Sequence, residues 1–412
     1  TIYNKLYSNK LLSSMRTLLL SFIMLLVPTI TEAQKAYKPL KTALKDKNYK
    51  EAVAQIKKLR ADSTYRLDPK LCTYGIEAYR GLNDAENMKV YLKQNCDTVA
   101  LFSTTYQIVK EAVMLDSLEN ENKKNKGEKP RETKFVSEML QRYYPNLNVA
   151  ARFFYKKQNF QEAMRYLRYC IDLPHTPLGA RSHLSTTHDV SNAVLYLSSA
   201  FTTKNYAEVH RYENIALCDS LSRKSVMKYL ARTAEAENDT LAYERMLRQG
   251  WKNGNYDESF FGLLVDFYNL HKEYGHTLNV AAQHIKVHPQ SAIAYMAQSV
   301  AYFKQQNFDK CIASAKKWLE CDSLSADAHY YIGASYVYKV DEVPMEGPIN
   351  SLSYRQSLVK RGELYAKAEP ELEAYRQMMP KAKNEWAPLL YKVYFALNNG
   401  EKFAEIEEIL AE

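Results

Sequence analysis

The sequence predicts an all-α protein, an α-solenoid of paired helices, and three observations predict it. The phrase Asn-aromatic-x-x-small recurs at Asn48-Tyr49…Ala52, Asn159-Phe160…Ala163, Asn205-Tyr206…Val209 and Asn307-Phe308…Cys311. The last two anchors stand 102 residues apart, which is three steps of 34. The 412 residues include only 12 Gly and 13 Pro, few for a sandwich or barrel with its many tight turns.

A step of 34 from Asn205 lands on Asp239, Glu273, Asn307 and Asp341, all turn or cap residue types. Five residues before each of these five turns the chain reads Ala200, Ala234, Tyr268, Tyr302 and Tyr336. Eight before, it reads Leu197, Ala231, Val265, Ser299 and Gly333. A register held across five units marks an internal repeat, to be read before any single motif. Within the unit from Ala292, Tyr295, Ser299, Tyr302 and Phe303 keep one face at helical spacing. A polar turn at Gln305–Asn307 follows, and then Phe308, Cys311, Ile312, Ala315, Trp318 and Leu319 form a second apolar stripe. Two helices per unit, each apolar on one face, bury that face only by stacking on their neighbours.

These residues resemble the tetratricopeptide-repeat (TPR) family. His329-x2-Ile332-Gly333-x2-Tyr336 is similar to the first half of its consensus, and Asn159-Phe160-x2-Ala163-x3-Leu167 to the second. Pro174 and Pro289 lie near the consensus terminal proline. The resemblance covers most of residues 34–412, extends to secreted or periplasmic TPR proteins of Gram-negative bacteria, and implies that the solenoid winds as a right-handed superhelix.

The N-terminus reads as an export signal. Arg16 precedes an apolar run from Leu18 to Val27, then Pro28 and the small-residue pattern Thr31-Glu32-Ala33 before Gln34. A basic start, a run too short to span a bilayer comfortably, and small residues at −3 and −1 describe a cleavable signal peptide. Residues 1–33 are therefore expected to comprise upstream sequence, a start at Met15 and a leader cleaved near Ala33/Gln34; an uncleaved anchor is the alternative. The location implied is periplasmic or secreted. Lys5, Lys10 and Arg16 against Glu32 give the leader +2 of the chain's +9, so the mature charge is modest. Nothing resembles a nucleic-acid-binding motif, and no integral membrane segment is expected after cleavage.

TPR-like repeats are expected over 34–118, a charged loop insertion over 119–131, and the main array over 132–412. The loop expectation rests on Glu119-Asn120-Glu121-Asn122-Lys123-Lys124-Asn125-Lys126, which has nothing to bury. A second inserted loop, 341–352, carries Pro344, Gly347 and Pro348. A long helix follows from Ser353 to about Met379, with a kink or break expected at Pro370. A capping hairpin closes the array from 385, with Glu405, Glu407, Glu408 and Glu412 on its outer face.

Six cysteines make no CxxC pair and no metal spacing. Cys72 and Cys96 are placed to meet at one end of a helical hairpin, and a disulfide between them stands beside ordinary buried thiols as the two readings. No zincin HExxH, phosphate-binding GxxxxGK[ST] or GxSxG elbow occurs. Ser-x-x-Lys appears at Ser225/Lys228, Ser314/Lys317 and Ser357/Lys360 without the partner motifs of acyl-enzymes. His175, His183, His188 and Asp189 cluster between repeats at no recognised ligand spacing. No enzyme, cofactor or metal is expected.

In the TPR family the first helices line a concave groove for an extended peptide or partner helix. The resemblance carries this role to Arg152, Tyr155, Lys156, Phe201, Lys228, Arg232, Phe303, Lys304, Tyr330 and Tyr338. The mix is aromatic and basic and suits an acidic or aromatic-bearing segment of a protein or peptide partner. The family's carboxylate clamp is absent, since its places hold Asn148/Arg152, Met296/Val300 and Tyr330/Ala334. The expected function is a non-enzymatic scaffold or adaptor of the cell envelope. The alternative is an outer-surface glycan-binding protein that stacks sugars on exposed Tyr and Trp. The oligomeric state is open.

Overall fold

The turn that closes the first helix of a repeat is built the same way at successive anchors. In a computed structural model of the protein, which describes residues 35–126 and 131–411, the amide of Asn159 donates to Phe154 O at 2.9 Å. Asn205 donates likewise to Ala200 O, Asp239 to Ala234 O, Glu273 to Tyr268 O and Asn307 to Tyr302 O. The residue before each anchor is left-handed: Gln158, Lys204, Asn238, Lys272 and Gln306 have φ of 58°, 56°, 59°, 59° and 58°. A bond spanning five residues over one left-handed residue is the Schellman closure. Ala200, Ala234, Tyr268 and Tyr302, the recurring column, supply its carbonyls. The anchors then start the second helix. Asn48, Asn159, Asp239 and Asn307 accept from the amide three residues on, satisfying an N–H that has no intrahelical partner.

The described residues are helical with no strand. The chain divides into two compact units at Val226/Met227. The first holds α1 (35–45), α2 (Tyr49–Ala61), α3 (Pro69–Tyr91), α4 (Thr98–Lys126), α5 (Thr133–Lys156) and α6 (Phe160–Asp172). After these come α7 (Pro177–Arg181), α8 (Asp189–Thr202), α9 (Tyr206–Val209) and α10 (Glu213–Ala216). α11 (Arg223–Ala236) contains the division. The second unit continues with α12 (Thr240–Asn253), α13 (Glu258–Leu270), α14 (Tyr274–Val287), α15 (Ala292–Lys304) and α16 (Phe308–Cys321). It ends with α17 (Ala326–Lys339), α18 (Leu352–Met378), α19 (Lys383–Ala396) and α20 (Gly400–Ala411).

Within each unit neighbours in sequence pack on one another: α2 on α3, α3 on α4, α4 on α5 and α5 on α6, then α12 on α13 and so on to α19 on α20. α13, α15 and α17 begin at Glu258, Ala292 and Ala326, each one step of 34 after the last, behind Asp257, Ser291 and Ser325. Helix-turn-helix pairs stacked in chain order on a 34-residue step are the arrangement of a TPR array. At α17 the closure fails. Asp341 lies in a 3-10 turn, Val340–Glu342, and residues 343–351 are irregular before α18.

Three expectations are corrected. Residues 119–126 are the end of α4, not a loop, and Glu119 accepts from the amide of Glu132 at 3.1 Å, at the start of α5. Glu and Lys are good helix formers, so a run with nothing to bury signals exposure rather than loss of helix. Cys72 and Cys96 are free thiols. Residues 69–91 form one helix, α3, instead of two, so Cys72 near its start and Cys96 beyond its end stand apart by roughly 30 Å at 1.5 Å per residue. Pro370 does not break α18, which runs unbroken through it, as α5 runs through Pro145. The leader expected at 1–33 lies outside the described residues. Among those described, no helix is long and apolar enough to cross a membrane.

Candidate functional site

The ten groove positions meet different fates. In the first unit they are largely occupied by the neighbouring repeat. Arg152 on α5 donates from Nη1 to Asn192 Oδ1 and from Nη2 to Ser191 Oγ, both at 3.0 Å on α8. Asn192 donates in turn to Asn148 Oδ1 at 2.7 Å. The Tyr155 hydroxyl lies 3.1 Å from Ser198 Oγ, and Lys156 is exposed. The Phe201 ring tilts against Tyr206. This polar seam joins consecutive first helices, so Arg152 and Tyr155 hold the stack together where the resemblance implied a partner contact.

In the second unit Lys228 sits over the Phe260 ring at 5.6 Å, and Arg232 is exposed. Tyr330 is wedged between Tyr331 and Tyr375, with ring centroids 5.5 and 5.1 Å away. Phe303, Lys304 and Tyr338 converge. With Gln306, Phe308, Asp341 and Glu342 they line an open depression of about 500 Å³. Phe303 meets Phe308 and Tyr338 edge-on at 5.9 and 5.8 Å, and Phe308 and Tyr338 lie nearly parallel, 19° apart at 6.0 Å. Offset and edge-to-face rings at such spacings brace one another. Tyr338 is 38% exposed, so the cluster presents a ring to solvent.

The fold places these groups for local reasons. Phe303 ends α15 one turn before the left-handed Gln306, and Phe308 opens α16 directly after its cap Asn307. α17 brings Tyr338 alongside, one repeat later, and the failed closure after it delivers Asp341 and Glu342 to the rim. Sequence reasoning missed Gln306, Phe308, Asp341 and Glu342. Phe308 read as a core residue of the second helix, and Asp341 as the start of an insertion. The rim carries one lysine and two carboxylates, and Lys392 Nζ stands 5.8 Å over Tyr338, so both signs are present.

Lys228 is engaged on Phe260, Lys317 pairs with Glu320 at 2.7 Å, and Ser357 accepts from the amide of Glu346 at 3.2 Å. His175 meets Asp189 at 2.6 Å. No group of three or more metal-ligating side chains stands together among the described residues.

No protein-family model matches the sequence, and no curated protein matches it either. Among solved structures the chain is similar to the C-terminal part of a TPR repeat-containing protein from Cytophaga hutchinsonii. There the identity is 12% and the TM-score 0.35, over 62% of this chain and 98% of that one. It is also similar to the TPR2AB domain of yeast Sti1 in its pHSP90 complex, at 15% identity and a TM-score of 0.23, over 62% of this chain and 98% of that one. A third, the APC/C hetero-tetramer Cut9–Hcn1, gives 13% identity and a TM-score of 0.24 over 91% and 79% of the two chains. Similarity of this order bears on no individual residue.

Proposed function

We propose that the protein is a non-enzymatic binding scaffold of the cell envelope, which holds a segment of a partner protein against the aromatic depression of its second unit. The supporting observation is the convergence of Phe303, Phe308 and Tyr338 from three successive helices on one open hollow. Exposed aromatic rings held rigid by their neighbours anchor partner side chains at low entropic cost. The mixed charge of the rim suits a segment with an apolar or aromatic anchor flanked by polar groups, the aromatic-bearing one of the two kinds the groove residues implied.

Peptides selected from a random library against the full chain test this. Binders are expected to share an apolar or aromatic anchor, and Phe303→Ala or Tyr338→Ala to weaken them by more than roughly tenfold. Selected peptides that bind both variants as well as the parent would overturn the site. Oligosaccharides that bind the same rings, with no peptide doing so, would replace the partner class with a glycan. The envelope location rests on the leader pattern, and N-terminal sequencing of the protein recovered from its cells should begin at Gln34.

A further inference from the structure

We propose that the first unit carries a second binding site, independent of the aromatic depression, which takes an oxyanion attached to a flat or apolar body. The site is a cavity of about 670 Å³ where α4, α6, α8 and the α8–α9 turn meet. Arg165 and Arg168 face it from adjacent turns of α6, Tyr106 and Tyr169 form one wall, and Lys204 stands at its edge.

The charges do not cancel. Glu208 is the carboxylate in the lining, and its Oε2 is engaged by protein donors. It accepts from Arg168 Nη2 at 2.9 Å, from Arg211 Nε at 2.8 Å and from the Tyr196 hydroxyl. These donors hold its acid form down to about 2, against the opposing effect of burial. Arg165 reaches Glu162 on its own helix at 3.3 Å, both side chains being well exposed. Lys204 is exposed and has no ion-pair partner among the described residues. Three cations, Arg165, Arg168 and Lys204, thus line the hollow against one carboxylate, Glu208. That leaves an excess of two positive charges around one hollow.

Unused donors point the same way. Arg168 employs only Nη2 in its bonds to Glu208 and Tyr196, so Nη1 and Nε stay available, and Lys204 has three N–H donors to offer. A guanidinium fork beside an ammonium matches the paired oxygens of a carboxylate or phosphate. Arg165 itself is held flat, its guanidinium carbon 4.0 Å over the Tyr106 ring, and Tyr106 and Tyr169 brace each other edge-on at 5.1 Å. Tyr169, half-buried where Tyr106 is buried, offers the ring surface for a planar or apolar body next to the bound anion. The shared chemistry is the oxyanion, whose source is either an acidic peptide or a small phosphate.

Calorimetric titration of the full chain with inorganic phosphate, and separately with a capped glutamate- and tyrosine-containing tetrapeptide, tests the site and separates the sources. At least one probe is expected to bind, more weakly as salt rises. Lys204→Gln and Arg165→Gln should each reduce the affinity by about tenfold, the loss of one charge-assisted hydrogen bond. Lys134→Gln, which removes an equal charge at the start of α5, outside the lining of the cavity, should change nothing. Should Arg165→Gln fail to fold by circular dichroism, the exposed Lys204→Gln decides alone. Absence of binding by both probes at roughly 10 mM, or unchanged affinity in the folded variants, overturns the proposal. Peptide selection at Phe303 and Tyr338 reads a different unit, so either site can fail without the other.

Discussion

Trp251 donates its indole N–H to Nδ1 of His284 at 3.1 Å. The two side chains, one on α12 and one on α14, are 0% and 1% exposed. The bond places the histidine's own proton on Nε2 and requires a neutral ring. Phe261 stacks on that ring at 4.2 Å, and His288 lies 4.9 Å away. Burial, with a smaller contribution from His288, lowers the His284 pKa to about 4.

A histidine whose folded pKa is depressed makes stability fall on the acid side. Below the unfolded value of about 6.5 the unfolded chain takes up a proton that the folded one refuses, and the loss stops near the folded pKa. The resulting contribution is about 2 kcal/mol by roughly pH 5. Urea unfolding of the second unit at a series of pH values should show this decline, and His284→Phe should lose that component. Parallel curves for parent and variant would refute the assignment.

Glu111 and Arg60, 51 positions apart, form an ion pair at 2.5 Å with side chains 10% and 17% exposed. Arg60 also donates to the Cys72 thiol at 3.0 Å, and burial pushes that thiol up to about 12. Desolvation outweighs Arg60 and raises the pKa of Glu111. Glu111→Ala strands a buried guanidinium and is expected to cost about 3 kcal/mol. The double variant Arg60→Met/Glu111→Leu removes both charges and should cost less than Glu111→Ala alone. Urea denaturation of the three proteins checks that order.

Gly333 lets α17 and α18 approach. A Cβ there would stand 2.7 Å from Leu372 Cγ and 3.2 Å from the Leu372 amide, and Leu372 is fully buried. Gly333→Ala is expected to destabilise by about 1–3 kcal/mol through overpacking, despite alanine's better helix propensity. A raised melting temperature for this variant would show that α18 yields freely.

The six cysteines should titrate as thiols. Cys218 is exposed, Cys72, Cys170 and Cys311 are buried, and Cys96 and Cys321 are intermediate. A chromogenic disulfide reagent should modify Cys218 first in the native protein, and all six after unfolding without reductant. Two missing thiols, mapped to Cys72 and Cys96, would restore the crosslink.

What sequence reading captured well is short in range. The asparagine anchors, the column of carbonyls that accept from the turn and the second-helix caps involve residues within about five positions of one another. Such features follow from cap chemistry, left-handed turns and helical periodicity. The 34-residue step is their repetition. The errors over 119–126 and at Cys72 and Cys96 share one origin, the length of a helix. A polar run without breakers is compatible with exposed helix, and nothing local to residues 69–91 says whether one helix or two form there.

The site was legible only in part. Phe303, Lys304 and Tyr338 were marked by their repeat positions, but Arg152 and Tyr155, marked on the same grounds, close onto α8. The sequence alone established the helical repeat, its step and the residues that start and stop its helices, because those are settled by neighbours along the chain. Tertiary structure alone decided that Phe303 and Tyr338, 35 positions apart, hold their rings 5.8 Å from each other. It also decided that Arg165 lies over Tyr106 while Lys204 stands exposed at the edge of the same hollow. Which side chains of successive helices meet, and which face open space, depends on the packing of one repeat against the next within a unit, and no local pattern encodes that.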